Sequence, residues 1–151
     1  MATKKRANGD VKLREQAEFR YQLRRFLSFS ESAAERCGVP AQQYQLLQVV
    51  GAAPMGESAS ITYVAERMLL RHHSAVELVD RAQRADLVRR VADPEDHRRS
   101  LVELTPRGAG VLRDLLAEHI DELQRLGPEL VRALQRLADV RDALKGDGES
   151  R

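Results

Sequence analysis

The sequence predicts a mainly α fold: a winged helix-turn-helix with a two-stranded β wing, framed by long N- and C-terminal dimerisation helices. Three observations predict it. Two β-prone runs, Leu87-Val88-Arg89-Arg90-Val91 and Ser100-Leu101-Val102-Glu103-Leu104, flank Asp93-Pro94-Glu95-Asp96, where Pro presets φ and Asp side chains bond nearby backbone. Helical segments surround this hairpin in the order helix, helix, helix, hairpin, helix. The outermost helical stretches carry more apolar surface than one small core needs, which points to a partner chain.

Residues 1–10, with Lys4, Lys5 and Arg6, read as a flexible basic tail, at most a minor-groove arm. Residues 11–37 form the N-terminal dimerisation helix, roughly 39 Å long to residue 36, ended by Cys37-Gly38 with Gly in the left-handed cap position. Phe19, Leu23, Phe26, Ser30, Ala33 and Cys37 follow steps of four and three and make its packing seam. The lobe occupies residues 38–104. Pro40 opens a second helix through Tyr44, Leu46, Leu47 and Val50, and Gly51-Ala52-Ala53-Pro54 stops it. Residues 55–60 read as a loop whose Ser60 caps a short helix over 61–68. The next helix, about 71–84, turns Ala75, Leu78, Val79 and Ala82 inward.

After the hairpin, Thr105 is placed to cap a helix that has Pro106 at its first position. Gly127-Pro128 is expected to break it, and a last helix carries Leu130, Val131, Leu134, Leu137, Val140 and Leu144. Together residues 105–145 are the C-terminal dimerisation helices, and 146–151 a flexible tail.

The chain has 151 residues, enough for one core. It is 42% hydrophobic and 32% charged, lacks Trp and has formal net charge +2, so electrostatic arguments rest on where charges sit. A single Cys excludes an intramolecular disulfide and fits a reducing compartment. No apolar run approaches the roughly 20 residues that span a bilayer, and MATKKRANGD lacks the apolar core of a signal peptide. The expectation is a soluble, cytoplasmic protein.

These residues resemble the MarR family of bacterial transcription regulators. Leu87-Val88-x-Arg90 resembles that family's entry into the wing. Asp93-Pro94-Glu95-Asp96-His97-Arg98 is similar to its turn, and Leu104-Thr105-x-x-Gly108 to its exit into the next helix. Val64-Ala65-Glu66-Arg67 and Leu78-Val79-Asp80-Arg81 sit where the family has its two helix-turn-helix helices. The resemblance implies a homodimer on a palindromic operator, with wings and recognition helices straddling double-stranded DNA. It also implies a pocket for small aromatic or phenolic effectors, which Tyr21, Phe26, Phe29 and Tyr44 could line or, as ordinary core residues, merely pack. Asp86 stands where the family commonly has Gly, Leu69 where it has a small turn residue, and Glu77 where a basic or polar residue is common.

In a helix-turn-helix the N-terminal half of the second helix reaches base edges. His72, His73, Ser74 and Glu77 are therefore the candidate base contacts, Glu accepting from cytosine N4, with Val76 against a thymine methyl. Arg71 and Arg81 are candidate phosphate clamps. In the wing, Asp96 and Arg98 are expected to pair as ions and hold the tip, leaving His97 or Arg99 to enter a narrow minor groove. Residues 71–99 hold seven Arg against six acidic residues, so affinity should depend on geometry and salt.

Metal binding is not expected, since adjacent His72 and His73 cannot share one helix face. Cys37, on the apolar seam, is expected to pack inertly. No phosphate loop, nucleophilic triad or paired acids support an enzyme, and no cofactor is expected. The rival to a ligand-responsive repressor is a winged-helix interaction or assembly module without specific DNA binding.

Overall fold

The computed structural model describes residues 2–54 and 59–146. Its elements are α1 (Ala2–Arg36), α2 (Ala41–Gly51), β1 (Ala59–Ser60), α3 (Ile61–Arg67), α4 (His72–Arg84), β2 (Val88–Ala92), β3 (Ser100–Leu104) and α5 (Pro106–Gly146). They divide into two compact units: a lobe, Glu31–Glu118, and an end-helix unit made of Met1–Ser30 with His119–Arg151. Among the described residues no helix is long and apolar enough to cross a membrane.

The lobe has its own core. Tyr44, Leu46 and Leu47 of α2, Val64 of α3, Leu78 and Val79 of α4, and Val88 and Val102 of the sheet are all essentially inaccessible. The inward stripe of α4 is Ala75, Leu78, Val79 and Ala82, as its periodicity demands. The wing is the antiparallel pair β2–β3, with Val88 opposite Leu104, Arg90 opposite Val102 and Ala92 opposite Ser100. A third strand joins it. Ala59 and Ser60, read as loop from the sequence, pair with Val102 and Leu101 on the other edge of β3. Two residues are too short for alternation to show. The rest of that expected loop, residues 55–58, lies outside the described residues.

Three helices end within the lobe in the same way. In each, the first residue past the cap donates to a carbonyl three residues back, and the next donates five residues back. Gly38 and Val39 close α1 on Glu35 and Ala34, Leu69 and Leu70 close α3 on Glu66 and Ala65, and Asp86 and Leu87 close α4 on Gln83 and Ala82. The motif needs left-handed backbone at its first position, and φ is +69° at Gly38, +54° at Leu69 and +56° at Asp86. Glycine adopts this freely and Asp tolerates it, whereas a Leu Cβ crowds its own carbonyl.

Thr105 locks the wing to α5. Its Oγ1 accepts from the Gly108 N–H at 3.0 Å and donates to the Asp86 carbonyl at 2.6 Å. Its own N–H donates to the Leu87 carbonyl at 3.2 Å. Gly108 packs so closely on that carbonyl that any Cβ would overlap it.

The end-helix unit departs from expectation at both ends. Residues 2–10 are helical, part of α1, and not a tail. Ala2, Lys4, Lys5, Arg6 and Ala7 favour helix, and extending an existing helix gains a hydrogen bond for each residue fixed. Met1, at the start of that expected tail, lies outside the described residues, as do residues 147–151 of the expected C-terminal tail, while Gly146 still belongs to α5. The C-terminal stretch is one helix and not two, with Pro128 inside it. Gly127 has no Cβ to meet the proline ring, so the residue before proline keeps helical geometry. Pro128 still forgoes one backbone bond, and a proline ring crowds the carbonyl one turn back.

Within this unit Arg136 Nε meets Glu15 Oε2 at 2.9 Å, and Arg125 holds the buried Glu122 carboxylate with two bonds of 2.7 and 3.0 Å. His119, buried, shares a 2.7 Å hydrogen bond with Ser30 Oγ, and the rings of Phe26 and Phe29 meet it edge-on. The expected seam on α1 is shorter than its period. Ala33 is fully buried, but Cys37 is exposed, because α1 ends at Arg36 and residue 37 already belongs to the turn.

Candidate nucleic-acid interface

Ser60 starts the helix-turn-helix: its Oγ accepts from the Tyr63 N–H at 3.1 Å and fixes the first turn of α3. The turn at Met68-Leu69-Leu70 then delivers Arg71 as the residue before α4, with extended backbone and no side-chain cap. Since Ala75, Leu78, Val79 and Ala82 point into the core, helix geometry sends the remaining positions outward. His72, His73, Glu77, Asp80, Arg81 and Arg84 are exposed, as is Arg71, while Ser74 and Val76 are half-buried. His73, Glu77 and Arg81 fall four apart and share one stripe; His72 and Val76 form the neighbouring one.

The wing strand is tied to this helix by an ion pair that the sequence reading did not find. Arg90 Nη2 of β2 meets Asp80 Oδ1 of α4 at 2.6 Å. Arg90 Nε is buried without a partner among the described residues. Across the wing, register partners Arg89 and Glu103 pair at 2.9 Å. A cue was present in the sequence. The alternation Val88, Arg90, Ala92 sends Arg90 to the same face as the core residue Val88, where a guanidinium needs a counter-charge.

The wing tip uses its acids differently from expectation. Asp96 does not pair with the Arg98 guanidinium; its Oδ1 accepts from the Arg98 backbone N–H at 3.0 Å. Two residues of spacing suits a carboxylate bonding backbone, and a long Arg side chain gains little by folding back onto it. Asp93 makes the same local turn, its Oδ1 accepting from the Glu95 N–H at 2.9 Å, and its Oδ2 lies 3.9 Å from Arg99 Nε. The Asp93 N–H donates to the Arg99 carbonyl and the Arg99 N–H to the Asp96 carbonyl. Backbone bonds therefore order the tip, and His97 and Arg98 stand exposed on it, with Arg99 drawn toward Asp93.

The aromatic residues considered for an effector pocket do not share one unit. Tyr44 is a fully buried member of the lobe core, and burial raises the pKa of its hydroxyl above the usual tyrosine value. Tyr21, Phe26 and Phe29 belong to the end-helix unit. There an open surface depression of about 410 Å³ is lined by Tyr21 and Phe29 with Arg24, Arg25, Arg125, Glu122, Ser28 and Leu126. Arg25 lies over the Tyr21 ring, 5.8 Å from its centre. Among the described residues no three of His, Cys, Asp and Glu converge as metal ligands would.

Comparison with known proteins agrees with this architecture. A family profile described as the MarR family matches residues 38–99, which hold α2, α3, α4, β2 and the wing tip. The HTH-type transcriptional regulator MhqR of Bacillus subtilis is 29% identical over 63 residues, a match covering 42% of this chain and 43% of MhqR. The fold is similar to AbsC, a MarR family transcriptional regulator from Streptomyces coelicolor, with a TM-score of 0.65 at 19% identity, covering 83% of this chain and 88% of AbsC. It is also similar to Staphylococcus aureus MepR in a MepR–DNA complex, with a TM-score of 0.64 at 18% identity over 85% of this chain and 94% of MepR. At such identities these two likenesses speak for the fold.

Proposed function

We propose, on the match of residues 38–99 to the MarR family, that this chain is a sequence-specific DNA-binding transcription regulator, acting as a ligand-responsive repressor on a palindromic operator as a homodimer. One observation carries the reading. The stripe His73, Glu77 and Arg81 is exposed on a helix whose other side is core, and Asp80–Arg90 fixes that helix to the wing. A helix held this way enters a major groove with its first turns at the base edges. His72, His73, Ser74 and Glu77 read bases there, Val76 meets a thymine methyl, and Arg71 and Arg81 grip phosphates. His97, Arg98 and Arg99 follow the adjacent minor groove.

The homodimer is supported by apolar side chains left in water on the end helices. Leu13, Tyr21, Leu27, Ile120, Val131 and Leu134 are each more than two-fifths exposed. Large apolar side chains exposed in this number on two helices are what a partner chain would cover. Ligand response is supported by the open depression beside Tyr21 and Phe29, whose arginines suit a small aromatic anion.

The test is a fluorescence titration of the full chain against genomic fragments from upstream of its own gene, at low and physiological salt. Binding to one fragment that survives physiological salt is expected. Binding that collapses equally on every fragment would leave only non-specific attraction and favour an interaction module.

A further inference from the structure

We propose that Gln42 is a positioning residue for DNA-backbone contact: it holds the Arg81 guanidinium ready for a phosphate without cancelling its charge. This rests on the DNA-binding reading and goes beyond it by bringing α2 into the interface. Arg81 Nη2 of α4 donates to Gln42 Oε1 at 3.3 Å, the two residues being 39 positions apart and both exposed.

The chemistry of the partner is what sets Arg81 apart. Arg89, Arg90 and Arg99 each face a carboxylate, at 2.9, 2.6 and 3.9 Å. An arginine bonded to a carboxylate has its charge largely matched before any phosphate arrives. A glutamine oxygen orients the same fork and leaves the full positive charge available. The Gln42 amide also keeps N–H donors that can reach the same phosphate. Ordering a long, rotamer-rich side chain in advance lowers the entropy lost when it binds.

Arg81 sits four residues beyond Glu77 on the same stripe of α4 and nearer its C-terminal end. With the first turns of α4 at base edges, that later part of the helix lies closer to the sugar-phosphate backbone. The alternative role, a brace between α2 and α4, is a poor one for this bond. Both partners are solvated, and α2 and α4 are already in contact, with Tyr44 and Leu47 of α2 and Leu78 of α4 buried in the lobe core.

The test uses the full chain, a fluorescent duplex of random sequence as probe, and a salt series. Gln42→Ala should weaken binding about two- to tenfold. The same change made in an Arg81→Ala background should have no further effect, because the residue it positions is gone. Gln42→Glu should weaken binding at least as much and make the salt dependence shallower by about 0.9, the slope of one lost phosphate contact. Thermal unfolding should be unchanged in all variants. Equal losses from Gln42→Ala in both backgrounds, or an unaltered salt slope with a lowered melting temperature, would overturn the proposal while leaving DNA binding intact. Failure of the unaltered chain to bind any duplex would instead overturn the regulator reading, and this inference with it.

Discussion

The lobe and the end-helix unit treat their apolar residues in opposite ways. In the lobe, Tyr44, Leu46, Leu47, Leu78 and Leu87 are 0–1% exposed, and α4 keeps its polar residues outside. In the end-helix unit, Val131 and Leu134 are 53% and 52% exposed, although their helix is continuous and well formed. A segment can thus form a continuous helix and still be unfinished, because helix formation and side-chain burial are separate requirements. The lobe meets both alone. The end helices meet the first and leave the second unmet, which is what the proposed second chain would supply.

The largest effect should come from breaking that second requirement. Leu134→Glu puts a charge where the account has two chains meeting, and an unpaired charge there costs about 3 kcal/mol or more. Sedimentation should show the variant as a folded monomer at a concentration where the unaltered chain has twice the monomer mass. A variant that remained dimeric would move the interface away from this face.

The lobe should be most sensitive at its tightest contact. Gly108→Ala drives a methyl into the Leu87 carbonyl, and overpacking against backbone costs about 1–3 kcal/mol. Urea denaturation should show that loss, whereas Gly110→Ala, whose added methyl meets only the far end of the Arg113 side chain at 3.8 Å, should not destabilise.

Strain inside the lobe gives a smaller effect of opposite sign. Leu69 is 93% exposed and holds positive φ with its side chain in water. Left-handed backbone costs a Leu about 1–2 kcal/mol, and glycine's added flexibility when unfolded offsets about half to one of this. Leu69→Gly should raise stability by roughly 0.5–1 kcal/mol in the same assay. Asp86→Gly should gain less, since Asp tolerates that conformation.

The smallest effect concerns buried Tyr44. Burial raises the pKa of its hydroxyl above the usual value near 10, so the folded lobe keeps a proton that the unfolded chain releases. The associated stability is present below pH 10 and lost as pH rises through the folded-state value. Unfolding free energies measured on either side of pH 10 should show this decline, and Tyr44→Phe should remove its share. An identical slope in the variant would mean that other groups set it.

The same contrast explains what the sequence could and could not disclose. The wing, the caps at Ser60 and Thr105, and the inward stripe of α4 were legible because local chemistry and burial point the same way there. Pro128 was misleading because its usual meaning as a breaker depends on its neighbour, and Gly127 relieves the clash. Cys37 fell out of its seam because periodicity cannot tell where a helix stops. The ion pair expected between Asp96 and Arg98 failed for a related reason: charge and spacing identified the partners, but the nearer backbone N–H was the better donor. Asp80–Arg90 and Gln42–Arg81 needed three dimensions, since their members lie 10 and 39 residues apart.

The central claim is that two lobes, each with α4 beside its wing, read DNA as a pair. Repeated selection of duplexes from a random pool by the full chain, followed by sequencing, tests it most directly. The account predicts an enriched inverted repeat whose half-sites are centred about 10 bp apart or a multiple of that, one helical turn per half-site step. Enrichment of a single unpaired half-site, or of no sequence at all, would contradict it.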